Sequence, residues 1–487
     1  MSSYLKKLAG ETVIYGIGAV LPKVVNFLLV ASYLTFQIDE DKYGIHGIMY
    51  SFVTLALVFF TLRMETTFFK FSSDASYEPK KVFNNAVTVV LGSAGLLMTL
   101  MLLFRSSISS ALTRPEDSRF VVYFAVILFL DALSSVPFAQ LRMTNRPVKF
   151  SAIRIVNSLI TVGLIVFCFN ILPHVSALHW MYDEVYFLDY TFLANLVGSF
   201  FVVLMLYKEL SAYRFSWDKE LVKKMFAFAW PLIIVGVAGS INQFSDRIFV
   251  SYLTESLDGD QNFFNAGVFT GAIKIAVIMN LFVTAFNYAA EPFFFKNTSK
   301  EARTKIYGQV ALAFTICGMM IFLFVTGFLD ILKFMIDEKY HKVLFVVPIA
   351  LLANLFLGLY YNFSIWYKIS GKTIFGALIA TIGSIIFISL NFFLIPRIGM
   401  VGANVASLIC FGAMTTIAYL LGQKYYPISY PIGKIILYLI LGVAFYYGVE
   451  ILDVEGFSKL ILSSLTIVAF GLIAYLLDFR NFRNRLS

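Results

Sequence analysis

Fourteen long apolar runs divide this chain, at 12–36, 45–69, 83–104, 120–141, 150–172, 185–207, 225–253, 266–295, 306–328, 343–367, 373–396, 400–422, 432–450 and 458–477. Each reaches or approaches the ~20 residues that an α-helix needs to cross the hydrocarbon core. Backbone groups in lipid must be paired within a helix or a closed barrel, and barrel strands alternate over about ten residues. Continuous runs of this length therefore predict transmembrane helices. Composition agrees, with 59% hydrophobic and 14% charged residues, where a soluble domain carries about 25% charged. That excludes an ordinary water-soluble globule, a disordered chain and a nucleic-acid-binding domain. The connections are short, so no soluble domain fits between the runs. The expected fold is an all-α polytopic membrane protein of about 14 spans. Function then has to be carried out inside or between helices.

The net charge of +9 reads as topology, because basic residues hold loops on the cytoplasmic side. With the N-terminus placed inside, the inner ends of the runs carry 25 lysines and arginines and the outer ends carry nine. A missed span would scramble this alternation, so both termini are expected in the cytoplasm. The start, with Lys6 and Lys7 before an apolar run and no small-residue cleavage site, reads as a retained first span. Cys168, Cys317 and Cys410 lie far apart in apolar runs, and the four histidines match no ligand spacing. Neither a disulfide framework nor a metal site is indicated.

A weak internal repeat is present. Lys6-Lys7, Pro22 and Ser32-Tyr33-Leu34-Thr35 in the first segment are echoed by Lys223-Lys224, Pro231 and Ser251-Tyr252-Leu253-Thr254 in the seventh. This suggests two six-helix lobes, 1–210 and 211–424, followed by a terminal pair and basic tail at 425–487. Parallel repeats of this kind are a transporter signature.

Ionisable residues inside spans are costly and call for a reason. The runs contain Lys23, Arg63, Glu65, Asp131, Asp246, Arg247, Lys274 and Glu291. Gly239, Asn242, Gln243 and Asp246 share one side of the seventh helix, and Asn280, Thr284, Asn287 and Glu291 form a stripe along the eighth. Such a stripe should face a wet cavity or another helix. Arg63, Glu65 and Glu291 lie near enough to a surface to snorkel. Asp246 can form a helix-locking ion pair with Lys274 or Arg247, whereas Lys23 and Asp131 are deep and favour a cavity. Lys23, Arg63, Arg247 and Lys274 at several depths suit an anionic headgroup, above all a phosphate or diphosphate. Asp131, Asp246, Asn280, Asn287 and Glu291 are the candidates for coupling or for the polar lining. The chemistry expected is binding and release, and a lipid-linked substrate would need a cavity open sideways between helices, with the Pro-bent first and seventh helices as gates.

The first helix, with Gly16, Gly18, Pro22, Lys23, Asn26 and Phe27-Leu28-Leu29 followed by Tyr43-Gly44, resembles the start of bacterial polysaccharide-biosynthesis flippases. Gly267-Val268-Phe269 through Lys274-Ile275-Ala276 to Glu291-Pro292-Phe293 is similar to their eighth helix. Leu394-Ile395-Pro396-Arg397-Ile398-Gly399-Met400-Val401-Gly402-Ala403 is similar to their IP-x-x-G-x-x-GA turn. The family belongs to the multidrug/oligosaccharidyl-lipid/polysaccharide exporter superfamily. The resemblance implies two six-helix lobes around a cavity and rocker-switch alternating access. It implies flipping of a polyprenyl-diphosphate-linked oligosaccharide across the bacterial inner membrane, coupled to a Na⁺ or H⁺ gradient, with no cofactor. Membrane lipids are partners on this reading, along with glycan polymerase and glycosyltransferases; nucleic acid is not. Many such flippases have twelve helices, so the pair at 432–477 departs from that pattern.

A cation-coupled multidrug exporter of the same superfamily is the main alternative, but its cavity would favour acidic groups. A glycan polymerase or ligase would carry a large outer loop, which is missing here. Gly371-Lys372-Thr373 resembles the end of a P-loop, yet position 366 is Trp where the motif needs Gly. A major-facilitator transporter would show a Gly- and Arg-rich stretch at 70–82, which has neither character.

Overall fold

The computed structural model describes residues 18, 20–27, 32–175, 182–254, 261–294, 300–370 and 372–479. Among these, twelve helices are long and apolar enough to cross a membrane, and thirteen when the bent pair Phe263–Ala272 and Val277–Asn287 is taken as one span. Each expected run from the second to the fourteenth falls on one of these spans. The first, 12–36, lies largely outside the described residues.

The chain divides into two compact units, Met1–Thr270 with Asn391–Met400, and Gly271–Leu390 with Val401–Ser487. The first unit holds α1 (Glu40–Thr61), α2 (Met64–Ser72), α3 (Pro79–Leu103), α4 (Ser118–Met143), α5 (Pro147–Val166), α6 (Phe187–Met205), α7 (Lys219–Phe244), α8 (Asp246–Leu253) and most of α9 (Gln261–Ala272). Proline opens α3 and α5, where its missing N–H costs nothing and its φ is already helical. Asp218 caps α7 by accepting from the amides of Glu220 and Leu221. At the centre lies α4, packed on α1, α3, α5 and α6, while α1 also lies against α7 and α8. Lipid tails are as apolar as leucine, so close packing has to hold such helices together. Gly44 on α1 and Gly267 on α9 illustrate it. A Cβ on Gly267 would run into the carbonyl oxygen of Glu40, and one on Gly44 into that of Phe263.

The connection between α6 and α7 is fastened down. Asn84 on α3 accepts from the backbone N–H of Arg214 at 3.1 Å, and Asn85 accepts from that of Asp218 at 2.8 Å. Lys81 pairs with Asp218 at 2.6 Å, and Thr88 and Tyr213 share a hydroxyl hydrogen bond at 3.0 Å. These side chains satisfy backbone groups that a loop at the membrane surface would otherwise leave to water.

The second unit is built on α10 (Val277–Phe294), α11 (Lys300–Gly327), α12 (Val347–Phe363), most of α13 (Ile374–Ile398), α14 (Met400–Tyr425), α15 (Ile432–Ile451) and α16 (Gly456–Ala474). Its innermost span is Glu338–Tyr367, 72% buried within the protein, and its outermost is Gly456–Asp478, 17% buried. Trp366 is fully buried and donates its indole N–H to Ala418 O at 3.0 Å. The terminal pair α15–α16 packs on α11, with Lys459 held between Glu450 at 3.0 Å and Asp330 at 3.7 Å. At the other end of the pair, Lys434 and Tyr438 converge on Asp478. The turn joining α13 to α14 is a single residue, Gly399 at φ +62°, whose N–H returns to Ile395 O at 2.9 Å. A side chain in that left-handed conformation would be strained, so the glycine of the turn motif has a backbone reason.

Four runs expected as single helices are interrupted. The second breaks at Leu62–Arg63, the seventh at Ser245, the eighth at 273–276 with a bend of 57°, and the tenth at Ser364.

Candidate functional site

Within the first unit, Lys23 projects from the short helical stretch 20–27, which runs beside α5: Gly18 abuts Ser151, and the Ser158 hydroxyl approaches Pro22 O at 3.5 Å. Arg154 emerges from α5 between those two contacts. It lies seven residues beyond Pro147, which is ~10 Å of helix rise. Its guanidinium rests over the rings of Phe138 and Phe150, at 4.5 and 5.7 Å from their centroids. Lys23 and Arg154 are both exposed and close enough to repel each other. Among the described residues no carboxylate forms an ion pair with Lys23. Two like charges at this depth are tolerable only beside water or an anion.

Behind this pair lies a polar core shared by α1, α4, α5 and α6. Asp131, midway along α4, accepts a hydrogen bond from the Ser199 hydroxyl at 2.7 Å and lies in the field of Arg154. Asn195 donates to the Tyr50 hydroxyl at 2.9 Å, and Tyr50 in turn senses Asp131. Gly198 brings α6 against α5, where a Cβ would lie 2.5 Å from Asn157 Oδ1 and 2.6 Å from Thr161 Oγ1. Among the described residues, buried Asn157 Oδ1 has no hydrogen-bond partner. The arrangement therefore offers a cation pair and, beside it, a carboxyl that accepts from Ser199 and feels Arg154. The first can bind an anion; the second can take up a small cation or a proton.

The other expected residues are dispersed. Arg63 stands at the α1–α2 break, its side chain 36% exposed, and its nearest acid is Glu65 at 3.7 Å. Arg247 lies near the other end of α1, its Cδ against the position of Gly47. It pairs with Asp246 at 3.3 Å, and both side chains are largely buried, 15% and 14% exposed. Asp246 also accepts from the Arg247 amide at 2.9 Å, so these two expected site residues spend much of their charge on each other. On the polar side of α7, Asn242 is buried and Gly239 faces open space. In the second unit, Lys274 is half-buried in the break between α9 and α10. Asn280, Thr284 and Asn287 are half-buried along α10, while the Glu291 side chain lies outside the described residues.

Arg154, Tyr50, Asn195 and Ser199 escape a reading of charge and run length alone. Arg154 carries a signal, because it falls inside the run 150–172, but its place near the start makes it look like loop charge. Tyr50 and Ser199 look like ordinary span residues, and only the assembled helices aim them at Asp131.

The model of the family described as polysaccharide biosynthesis protein matches residues 8–298, more than half of the chain. No curated protein matches the sequence. Among solved structures, the chain is similar to the lipid II flippase MurJ in an inward closed conformation, with a TM-score of 0.70 and 15% identity over 95% of this chain and 99% of that one. It is also similar to a multidrug resistance transporter of the MATE family of the MOP superfamily, inward-facing, at TM-score 0.59 and 13% identity over 83% and 94% of the two chains. A MATE transporter of Vibrio cholerae gives 0.54 and 13% over 86% and 96%. At these identities the likeness is one of fold.

Proposed function

This chain belongs to the polysaccharide biosynthesis protein family, and on that premise we propose that it flips a polyprenyl-diphosphate-linked oligosaccharide across the bacterial inner membrane. The observation that carries this reading is the pair Lys23 and Arg154, two exposed cations on adjoining membrane-spanning segments whose charges act on each other. A diphosphate resolves that repulsion. Its oxygens accept from both groups, while the polyprenyl tail stays in lipid beside the helices. Arg63 is a further cation for the headgroup along its path. Transport proceeds by alternating access, both termini lie in the cytoplasm, and no bond is made or broken.

Coupling falls to Asp131. A carboxyl that accepts from the Ser199 hydroxyl and is not tied into a salt bridge can take up a proton or Na⁺ without an ion pair having to break. Uptake there changes the charge beside the Lys23–Arg154 pair, which links ion occupancy to headgroup affinity. Glycosyltransferases that build the substrate and a polymerase that consumes it are the partners this reading implies.

A multidrug exporter is the second reading, favoured by the MATE-like fold. The two are separated by deleting the gene and following the glycan. Loss of surface polysaccharide, with lipid-linked repeat units accumulating in the inner leaflet, supports the flippase. Unchanged glycan with new sensitivity to cationic drugs supports the exporter.

A further inference from the structure

Arg63 occupies an unusual backbone. Leu62 and Arg63 are consecutive non-glycine residues at φ 47° and 54°, in the left-handed region that L side chains rarely adopt. The break is held from several sides. The Leu62 N–H reaches Val58 O at 3.0 Å, the Thr67 N–H reaches Arg63 O at 3.2 Å, and the Ser93 hydroxyl of α3 donates to Phe60 O at 3.2 Å. An uninterrupted helix would carry the side chain at 63 along its own surface. The break instead delivers it to α7.

It arrives at Gly236. A Cβ built on Gly236 would lie 2.5 Å from Nη2 of Arg63, 2.6 Å from Nε and 2.9 Å from Cζ. Both nitrogens lie nearer than the carbon between them, so the Nε–Nη2 edge of the guanidinium points at bare helix backbone. Any side chain at 236 would occupy that space. The guanidinium is only partly covered, and the acid that pairs with it among the described residues, Glu65 at 3.7 Å, is beyond hydrogen-bond range. Among the described residues, the Arg63 side chain makes no hydrogen bond. The group is therefore held by its Nε–Nη2 edge, which leaves the Nη1–Nη2 end for a ligand.

We propose that Gly236 is the positioning residue of Arg63: its missing side chain leaves the seat that takes the Nε–Nη2 edge and presents the Nη1–Nη2 end of the guanidinium to the diphosphate. What Arg63 binds rests on the transport reading above, whereas the seat itself does not. Bidentate recognition of a phosphate needs the guanidinium held in one orientation, and bare glycine backbone holds one edge while the Nη1–Nη2 pair of donors stays available. Gly236 touches no substrate and acts only through Arg63.

The test uses the full chain in lipid nanodiscs with farnesyl diphosphate as the probe. Gly236→Ala is expected to weaken probe binding roughly tenfold, equivalent to about 1.4 kcal/mol. In an Arg63→Lys background the same change is expected to add nothing, because a lysine ammonium has no Nε–Nη2 edge to seat. Equal losses in both backgrounds would overturn the proposal, leaving Gly236 a packing residue. A second readout needs no substrate: phenylglyoxal modification of Arg63, followed by mass spectrometry, is expected to speed up in Gly236→Ala. An unchanged rate would equally defeat the seat. If Gly236→Ala alone folds poorly, the Arg63→Lys/Gly236→Ala double variant should recover the yield, and no recovery counts against the idea. Failure of the wild type to bind the probe at all would refute the diphosphate reading, and the phenylglyoxal result would still decide the seat.

Discussion

The Ser199 hydroxyl donates to Asp131 Oδ1 at 2.7 Å, joining α6 to the middle of α4 through a carboxyl that forms no salt bridge among the described residues. Asp131→Asn should preserve the bundle, since the amide oxygen still accepts from Ser199, and should abolish the response of transport to an imposed ion gradient. Flux into proteoliposomes, measured with and without the gradient, checks this; an intact response would remove Asp131 from coupling. Ser199→Ala should cost roughly 0.6 kcal/mol and at most about 1.7, the range for hydrogen bonds between membrane helices, read as unfolding in detergent.

Lys23→Ala and Arg154→Ala should each reduce glycan export while the protein remains inserted, with apparent affinity for a polyprenyl diphosphate falling about tenfold per lost charge-assisted contact. Lys23→Arg should retain most activity. Export at the wild-type level in both alanine variants would contradict the proposed headgroup site.

Asp246 and Arg247 form a largely buried pair, so removing one partner strands the other. Arg247→Ala should destabilise by about 3–5 kcal/mol, whereas the neutral double variant Asp246→Asn/Arg247→Gln should cost clearly less. A double-mutant cycle on thermal unfolding measures the difference, and strict additivity would show that the two charges do not support each other.

Below about pH 4 the α6–α7 connection should loosen at Asp218. The hydrogen bond from Lys81, with those from the Leu221 and Glu220 amides, holds this carboxyl below the usual range. A depressed value stabilises the fold above the unfolded pKa of about 3.9. That contribution is lost as pH falls through the folded value. Asp218→Asn should therefore flatten the acid limb of the stability profile below about pH 4 and leave the neutral region similar in shape. Hydrogen exchange at 212–218 is the direct readout.

A cytoplasmic reporter fused after Ser487 should be active, and reporters in the 174–184 connection should report the opposite side. Activity reversed at either place would mean that the basic-residue alternation was misassigned.

Apolar run length made the spans legible, because lipid admits few other ways to bury backbone. It did not show where a span breaks. Leu62 and Arg63 adopt left-handed φ values without a glycine, and Ser245 interrupts a run that hydropathy joins to Leu253. Such breaks are fixed by neighbours such as Ser93, which the local sequence does not announce. The charged candidates were visible one by one, yet their pairing was not. Asp246 neighbours Arg247 in sequence, but the choice between that partner and Lys274 needed coordinates. Arg154 sits too near the start of its run to stand out, and Tyr50 gains meaning only beside Asn195 and Asp131.

Asn84 and Asn85 grip the amides of Arg214 and Asp218, so the strap from α6 to α7 has no slack to give. Motion of the later helices cannot be absorbed by a limp tether at that point. It has to pivot within a helix, and the proline at 231, a dozen residues past the end of the strap, is where α7 is already weakened by a missing amide hydrogen. On the alternating-access reading, the asparagine side chains of α3 would thus be an anchor that shifts the hinge from the surface into the membrane.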